Sequence, residues 1–444
     1  MKQLLIPKQI ITVNSNDDIL TNVGVEIENG KINSFVDLKG FDRNSYSGEI
    51  VDRSNLTLIP GFVQTHIHLC QTLFRGLADD LELLDWLGKR IFPYENQHNP
   101  ESLRVSAQLG ITELQKGGTT TIVDMGTINH QEVIFEELTQ SGMRAFAGKC
   151  MVDQNNLYPV FKETTKDSLD TTHALAKQFH NTANGRIKYG FAPRFVLSCT
   201  EGLLKDTYQM LLDFEGSLYH THSSENKDEL KAVWEMHSMG NIEYFESIGV
   251  LGNRTLLAHC VHVDDPEQVI LTETDTRVLH CPSSNLKLGS GIANIPRYIN
   301  IGINVSLGAD GPPCNNNLSQ FTEMRLAALI QKPIHGSTSM NAKDVFKMAT
   351  IKGAEAVNLV HEIGSIEVGK KADLVFLNLD ELYHPLNEDN LYSTIVYSTG
   401  VESVKDVMID GEWVVNDGRS LKYDEKKIRA KGKEELEKLL NRVN

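Results

Sequence analysis

The sequence contains no Cys-x-x-Cys pair; its six cysteines (Cys70, Cys150, Cys199, Cys260, Cys281, Cys314) are scattered singly. That spacing argues against a thiolate zinc cluster or a disulfide framework and reads as reduced thiols in small apolar positions. No window approaches the ~18–20 consecutive apolar residues needed to span a bilayer. The opening MKQLLIPKQIITVNSNDD carries neither a long apolar stretch nor a small-residue cleavage site. A soluble, cytoplasmic protein with no membrane partner is therefore expected. Lys/Arg-rich runs are missing as well. With 43 Lys+Arg against 59 Asp+Glu the net charge is −16, which repels a phosphate backbone, so no nucleic-acid polymer is expected as partner. No GxGxxG loop or P-loop follows any candidate strand, which weakens a nucleotide-cofactor reading.

What is present is enough chain for one large domain and a smaller one: 444 residues, 40% hydrophobic and 23% charged. The two ends carry short β-rich runs, VGVEIENGKI (23–32), ADLVFLNL (372–379) and VMIDGEWVV (407–415). ENGK and IDGE are hairpin signals, because Asn-Gly and Asp-Gly tolerate positive φ. The expectation is a small β-sandwich assembled from residues 1–57 and 364–425. Between them, over 58–363, eight apolar strand candidates alternate with helical stretches: 56–68, 119–125, 144–151, 187–195, 217–222, 255–263, 277–285 and 303–310. That count and order predict an α/β fold, a (β/α)8 TIM-like barrel. The tail over 426–444 predicts a charged C-terminal helix, read as a solvated one.

Polar residues fall where such a barrel does its chemistry. Six of the eight strands end in a possible ligand or proton carrier: His68, Asp124, Glu225, His259, His280 and Asp310. His66 and His68 are two apart on a strand, so they share a face and can share one metal ion. His222 ends the fifth strand as a third ligand, with His220 on its face behind it. Glu225 lies just beyond, on the substrate side. Asp310, in SLGADG, can bind the metal and accept a proton from water; His259, in LLAHCVH, is placed for the charge developing at the reacting carbon. His66, His68, His222 and Asp310 together predict a mononuclear three-nitrogen, one-oxygen site.

The run PGFVQTHIHLCQTLFRGLADDLELLDWLGKRIFPYE (60–95), followed in order by HTHSSE, AHCVH, HCPSSNLKLGSG and SLGADG, resembles the amidohydrolase superfamily. Within it the chain resembles the branch of S-adenosylhomocysteine, methylthioadenosine and 5′-deoxyadenosine deaminases, guanine-type deaminases and s-triazine hydrolases. The resemblance implies one divalent ion, zinc or in some relatives iron, on His66, His68, His222 and Asp310. It also implies catalytic roles for Asp310 (proton of the attacking water), Glu225 (proton to the ring nitrogen) and His259 (the tetrahedral centre). Retention of both Glu225 and Asp310 favours ammonia release over chloride release. Binuclear relatives carry a bridging carboxylated lysine, for which Lys149 is the one candidate, at an unsuitable strand position. The resemblance further implies a homo-oligomer.

The expected activity is hydrolytic deamination of a purine or purine nucleoside. The alternatives are deamination or dechlorination of another heterocycle (guanine or another oxopurine, a pterin, an s-triazine) and, in a different class, a non-catalytic binding homologue. Two substrate clues conflict. Glu95 closes the IFPxE motif that contacts ribose hydroxyls in adenosine-type members, and two acceptor oxygens suit a vicinal diol. Arg194, in FAPRFVLSCT, stands where those members carry a base-contacting histidine, and it can only donate. Gln71 is expected to read a base edge, and Ser283, with Ser284, Asn285 and Lys287, to line the same mouth.

Overall fold

The computed structural model describes residues 2–443. Both ends of the chain enter one nine-stranded sheet. Lys2–Ile11 pairs in parallel with Glu49–Pro60 and antiparallel with Val23–Glu28, while Leu374–Leu377 joins the other edge of Glu49–Pro60 and leads on through Val404–Ile409 to Glu412–Asn416. Both turn signals are realised. Asn29 and Gly30 take φ of 52° and 77°, and Asp410 and Gly411 take 51° and 80°, the left-handed pairs that match the twist of a tight hairpin. The sheet buries Leu5, Val25, Ile27, Leu58, Leu374 and Phe376 in a core of its own.

The predicted first barrel strand, 56–68, is two strands. Glu49–Pro60 belongs to the terminal sheet, which therefore reaches past residue 57, and Phe62–Ile67 opens the barrel. Pro60 and Gly61 make the break, proline lacking the N–H that would continue the ladder. Eight barrel strands then follow: Phe62–Ile67, Thr119–Asp124, Arg144–Ala147, Ile187–Pro193, Leu218–Ser223, Thr255–His259, Arg277–His280 and Val305–Leu307. Each pairs in parallel with the next. The ring closes through a parallel bridge between Ile67 and Asp310 and a hydrogen bond from Asp310 N to His66 O of 3.0 Å. Gly308 permits this approach, since a Cβ there would lie 2.6 Å from His66 O. Closure thus occurs at the residues that carry the chemistry.

The sixth and seventh strands stop well short of their expected ends, each for a local reason. The sixth stops at His259 because His259 and Cys260 both adopt positive φ, 75° and 46°. The seventh stops at His280, and Pro282–Lys287 forms a helical turn with proline at its start, where the missing N–H costs nothing. The C-terminal helix, Glu425–Val443, is docked rather than solvated. Its Leu439 packs with Leu73, Phe74 and Val105, and Arg442 Nε donates to Gln97 O at 2.9 Å. Among the described residues, no helix is long and apolar enough to cross a membrane.

Candidate metal centre

The first strand carries His66 to its end and His68 into the turn beyond it. His222 comes from the fifth strand and Asp310 from the loop after the eighth. Their ligand atoms converge. His66 Nε2 and His68 Nε2 lie 3.2 and 3.3 Å from Asp310 Oδ1, and His222 Nε2 lies 3.4 Å from His68 Nε2. All four atoms lie within 4.8 Å of one another.

The surroundings hold these groups in ligand form. His222 Nδ1 is 2.7 Å from Arg194 O; a carbonyl can only accept, so Nδ1 carries the hydrogen and Nε2 faces the centre with its lone pair. His66 Nδ1 is 2.7 Å from His220 Nε2, which places His220 behind the ligand, as its position in the strand predicts. Burial pushes His66 down to about 4, against the pull of Asp310, and depresses His222 well below its usual value, reinforced by the neighbouring imidazoles. Both rings are neutral at pH 7. Burial alone would raise Asp310, but the imidazoles of His66, His68 and His259 outweigh it and hold the carboxyl well below its ordinary range. Ser284 Oγ donates to Asp310 Oδ2 at 2.7 Å and Gly311 N to Oδ1 at 2.7 Å.

These residues fit one divalent ion. Metal–nitrogen bonds of ~2.0–2.1 Å in a tetrahedron separate neighbouring ligand atoms by ~3.3 Å, close to the three separations of 3.2, 3.3 and 3.4 Å above. His66 Nε2 is buried without a hydrogen-bond partner, and lone pairs facing each other across such distances repel unless a cation lies between them.

The remaining chemistry faces the same point. Glu225 lies in the loop after the fifth strand, held by Glu229 of helix Lys227–His237, whose Oε2 accepts from Glu225 N at 2.7 Å. Its side chain is buried, and that burial, with the charges of Asp310 and Glu229, raises its pKa well above the carboxylate range. His259 Nδ1 is 2.8 Å from Asn285 Oδ1, and Nε2 lies 3.5 Å from Glu225 Oε2 and 3.8 Å from Asp310 Oδ2. Asp310, His259 and Ser224 all have left-handed φ, 61°, 75° and 53°. Such non-glycine conformations cost about 1–3 kcal/mol each and are retained where the surrounding structure over-determines them. Two other strand-end residues stay outside the cluster: Asp124 Oδ1 accepts from Leu69 N at 2.8 Å, tying the turn after His68, and His280 is buried without a ring partner.

Above the cluster is a cavity of about 20 Å³ lined by His68, His222, Glu225, His259 and Asp310 below, and by Leu83, Trp86, Leu87, Arg194, Phe195 and Leu288 above. Leu83, Trp86 and Leu87 belong to a helical segment over the mouth whose middle, Leu87–Ile91, is π-helical. The sequence reading missed these three as site residues, although their i, i+3, i+4 spacing marks one apolar face. A roomier cavity of about 670 Å³ lies between Arg75, Glu113, Lys116 and the C-terminal helix; its lining has no imidazole or thiol.

Three expected substrate positions, Ser283, Gln71 and Glu95, are placed differently from their reading. Ser283 turns away from the mouth, its hydroxyl donating to Glu323 Oε1 at 2.6 Å, and Ser284 reaches Asp310 instead. Gln71 Nε2 donates to Glu95 Oε1 at 2.7 Å and does not line the cavity. Glu95 is buried against Arg194, whose Nη1 donates to Oε2 at 2.8 Å; the two conflicting substrate clues form one ion pair. Lys149 is buried in an ion pair with Glu163.

The amidohydrolase family model matches residues 57–414. The chain is 34% identical over 433 residues to a 5-methylthioadenosine/S-adenosylhomocysteine deaminase of Bacillus cereus (strain AH187), covering 96% of this chain and 97% of that protein. It is 38% identical over 380 residues to a 5′-deoxyadenosine deaminase of Methanothermobacter thermautotrophicus, covering 85% and 86%. The crystal structure of an adenosine deaminase from Xanthomonas campestris with bound zinc superposes with a TM-score of 0.91 at 27% identity, covering 99% of this chain and 98% of that one.

Proposed function

The chain belongs to the amidohydrolase family, and from that premise we propose that it is a metal-dependent deaminase releasing ammonia from an adenosine-type purine nucleoside such as 5′-deoxyadenosine, methylthioadenosine or S-adenosylhomocysteine. The observation that carries this reading is the convergence of a complete ligand set with two proton-handling groups, Glu225 and His259, on one buried point. A non-catalytic binding homologue has no need of the buried Glu225. Relatives named for this activity align over nearly the whole chain.

His66, His68, His222 and Asp310 would hold one zinc or iron ion. When bound, the ion supplies the acidity that makes water a nucleophile near neutral pH. Asp310, ionised and fixed by Ser284, takes the proton of the attacking water. Glu225 keeps its own proton because burial and the nearby Asp310 charge disfavour its anion, and it delivers that proton to the ring nitrogen. His259, oriented by Asn285, hydrogen-bonds the charge that develops between the two carboxyl groups. The apolar cap of Leu83, Trp86, Leu87, Phe195 and Leu288 excludes bulk water. Ligand pockets commonly measure about 300–1,000 Å³, so entry of a nucleoside requires the mouth segment to move outward from its closed position.

Deamination of an oxo-substituted ring, guanine- or pterin-like, is a second reading. Arg194 favours it, because a donor-only group on the cavity wall suits an exocyclic oxygen. Ammonia release measured over adenosine, 5′-deoxyadenosine, methylthioadenosine, guanine and a pterin separates the two. Adenine nucleosides turned over fastest support the first; the free oxo bases turned over fastest support the second.

A further inference from the structure

Glu95 and Arg194 were expected to compete as substrate readers, one for a sugar diol and one for an oxo group. The structure makes them a single device. Glu95 is carried by the short helix Phe92–Asn96, at the end of the segment that covers the mouth. Its side chain is fully buried, and both oxygens are taken: Oε2 accepts from Arg194 Nη1 at 2.8 Å, and Oε1 from Gln71 Nε2 at 2.7 Å and Arg194 Nη2 at 3.4 Å. Arg194 lines the cavity, and Glu95 does not.

Resting on the deaminase reading above, we propose that Glu95 is a positioning residue that aims the Arg194 guanidinium at a ring-nitrogen acceptor of the substrate's heterocycle, and that it does not itself bind the ribose diol. A carboxylate held by three donors has no free pair of acceptors for two hydroxyls, whereas a guanidinium has five N–H groups and spends only part of them on Glu95. The orientation is well determined. The planar fork meets the carboxylate through both terminal nitrogens, and the guanidinium carbon lies 4.9 Å from the centre of the Phe92 ring, on the same helix as Glu95. Burial works against the Arg194 charge, and the Glu95 carboxylate outweighs it, so the group stays cationic in a closed site. The Arg194 carbonyl meanwhile orients His222. One residue therefore links the heterocycle to the ligand set, and a shift of its side chain displaces the ring from Glu225.

The test uses the metal-loaded protein and adenosine compared with three analogues. Adenosine against 2′,3′-dideoxyadenosine reports the diol; adenosine against its 3-deaza and 7-deaza analogues reports the ring acceptors. In wild-type protein one of the two deaza analogues is expected to lose roughly 10–100-fold in kcat/KM, the worth of one buried charge-assisted hydrogen bond. Glu95→Gln and Arg194→Ala should both bring that ratio close to unity, while the diol ratio stays where wild type has it. A merely structural role would lower all substrates together and leave every ratio unchanged, which overturns the inference. The double variant Glu95→Gln/Arg194→Met removes the buried charge as well as its partner; if Glu95→Gln fails to fold, the double variant carries the same comparison. A tenfold or larger diol-selective loss in Glu95→Gln also overturns the inference and restores Glu95 as the ribose contact. If wild type turns over no nucleoside at all, the functional reading falls and takes this inference with it.

Discussion

His220 stands behind His66, with Nε2 of the one 2.7 Å from Nδ1 of the other, both rings buried. The contact fixes which nitrogen of His66 faces the centre and is the kind of support that orients a ligand without touching the ion. His220→Ala is therefore expected to weaken divalent-metal affinity by roughly 10–100-fold, with His220→Gln recovering part of it. Competition against a chelator of known affinity measures this. Unchanged affinity in His220→Ala would reduce His220 to a packing residue.

Glu225→Gln preserves shape and removes the transferable proton. The variant should retain its metal and its fold while kcat falls by roughly 10²–10⁴, the range for a positioned acid–base group. Metal analysis beside steady-state kinetics decides it. Activity within a few-fold of wild type would remove Glu225 from the proton pathway.

Much of this site is legible in the sequence because its parts sit at strand ends. Alternation along a strand brings His66 and His68 to one face, and the order of the strands brings His222, His259 and Asp310 to the same rim. What is not legible depends on rotations and on distant partners. Ser283 and Ser284 are adjacent, and only the helical turn begun at Pro282 decides that Ser284 faces Asp310 while Ser283 faces Glu323. Glu95 and Arg194 are 99 residues apart, so each alone resembles a substrate contact, and their pairing appears only once the mouth helix is laid on the fourth strand. The docking of the C-terminal helix is hidden similarly: Ile428, Gly432, Glu435 and Leu439 are its buried face, inside a strongly charged sequence.

The join between barrel and terminal sheet also makes a prediction. Arg144 on the third barrel strand donates through Nε and Nη2 to both oxygens of Asp373, at 2.9 and 3.0 Å, with both side chains buried. Removing Asp373 leaves Arg144 only the longer contact with Asp410, 3.9 Å away. Asp373→Ala should cost about 3–5 kcal/mol of stability, read as a lower midpoint in denaturant. A loss under 1 kcal/mol would show that water reaches Arg144 once its partner is gone.

Trp86 lies over the cavity, and its indole nitrogen is buried without a partner. Admission of a nucleoside must displace it, so binding of inosine is expected to change the tryptophan emission of the protein. The change should vanish in Trp86→Phe and persist in Trp234→Phe, since Trp234 lies exposed on the outer helix Lys227–His237. An emission change that survives Trp86→Phe would place the moving element elsewhere.

In the proposed function, one ion on His66, His68, His222 and Asp310 serves the deamination of an adenine nucleoside. The most direct test is ammonia release from 5′-deoxyadenosine, measured together with bound metal, in wild-type protein, chelated protein and His222→Ala. Close to one divalent ion per chain and one ammonia per nucleoside consumed are expected. Both should be lost on chelation and in His222→Ala, and zinc or ferrous ion should restore the chelated wild type. Undiminished ammonia release from protein stripped of metal, or no release from protein that holds it, would contradict the account.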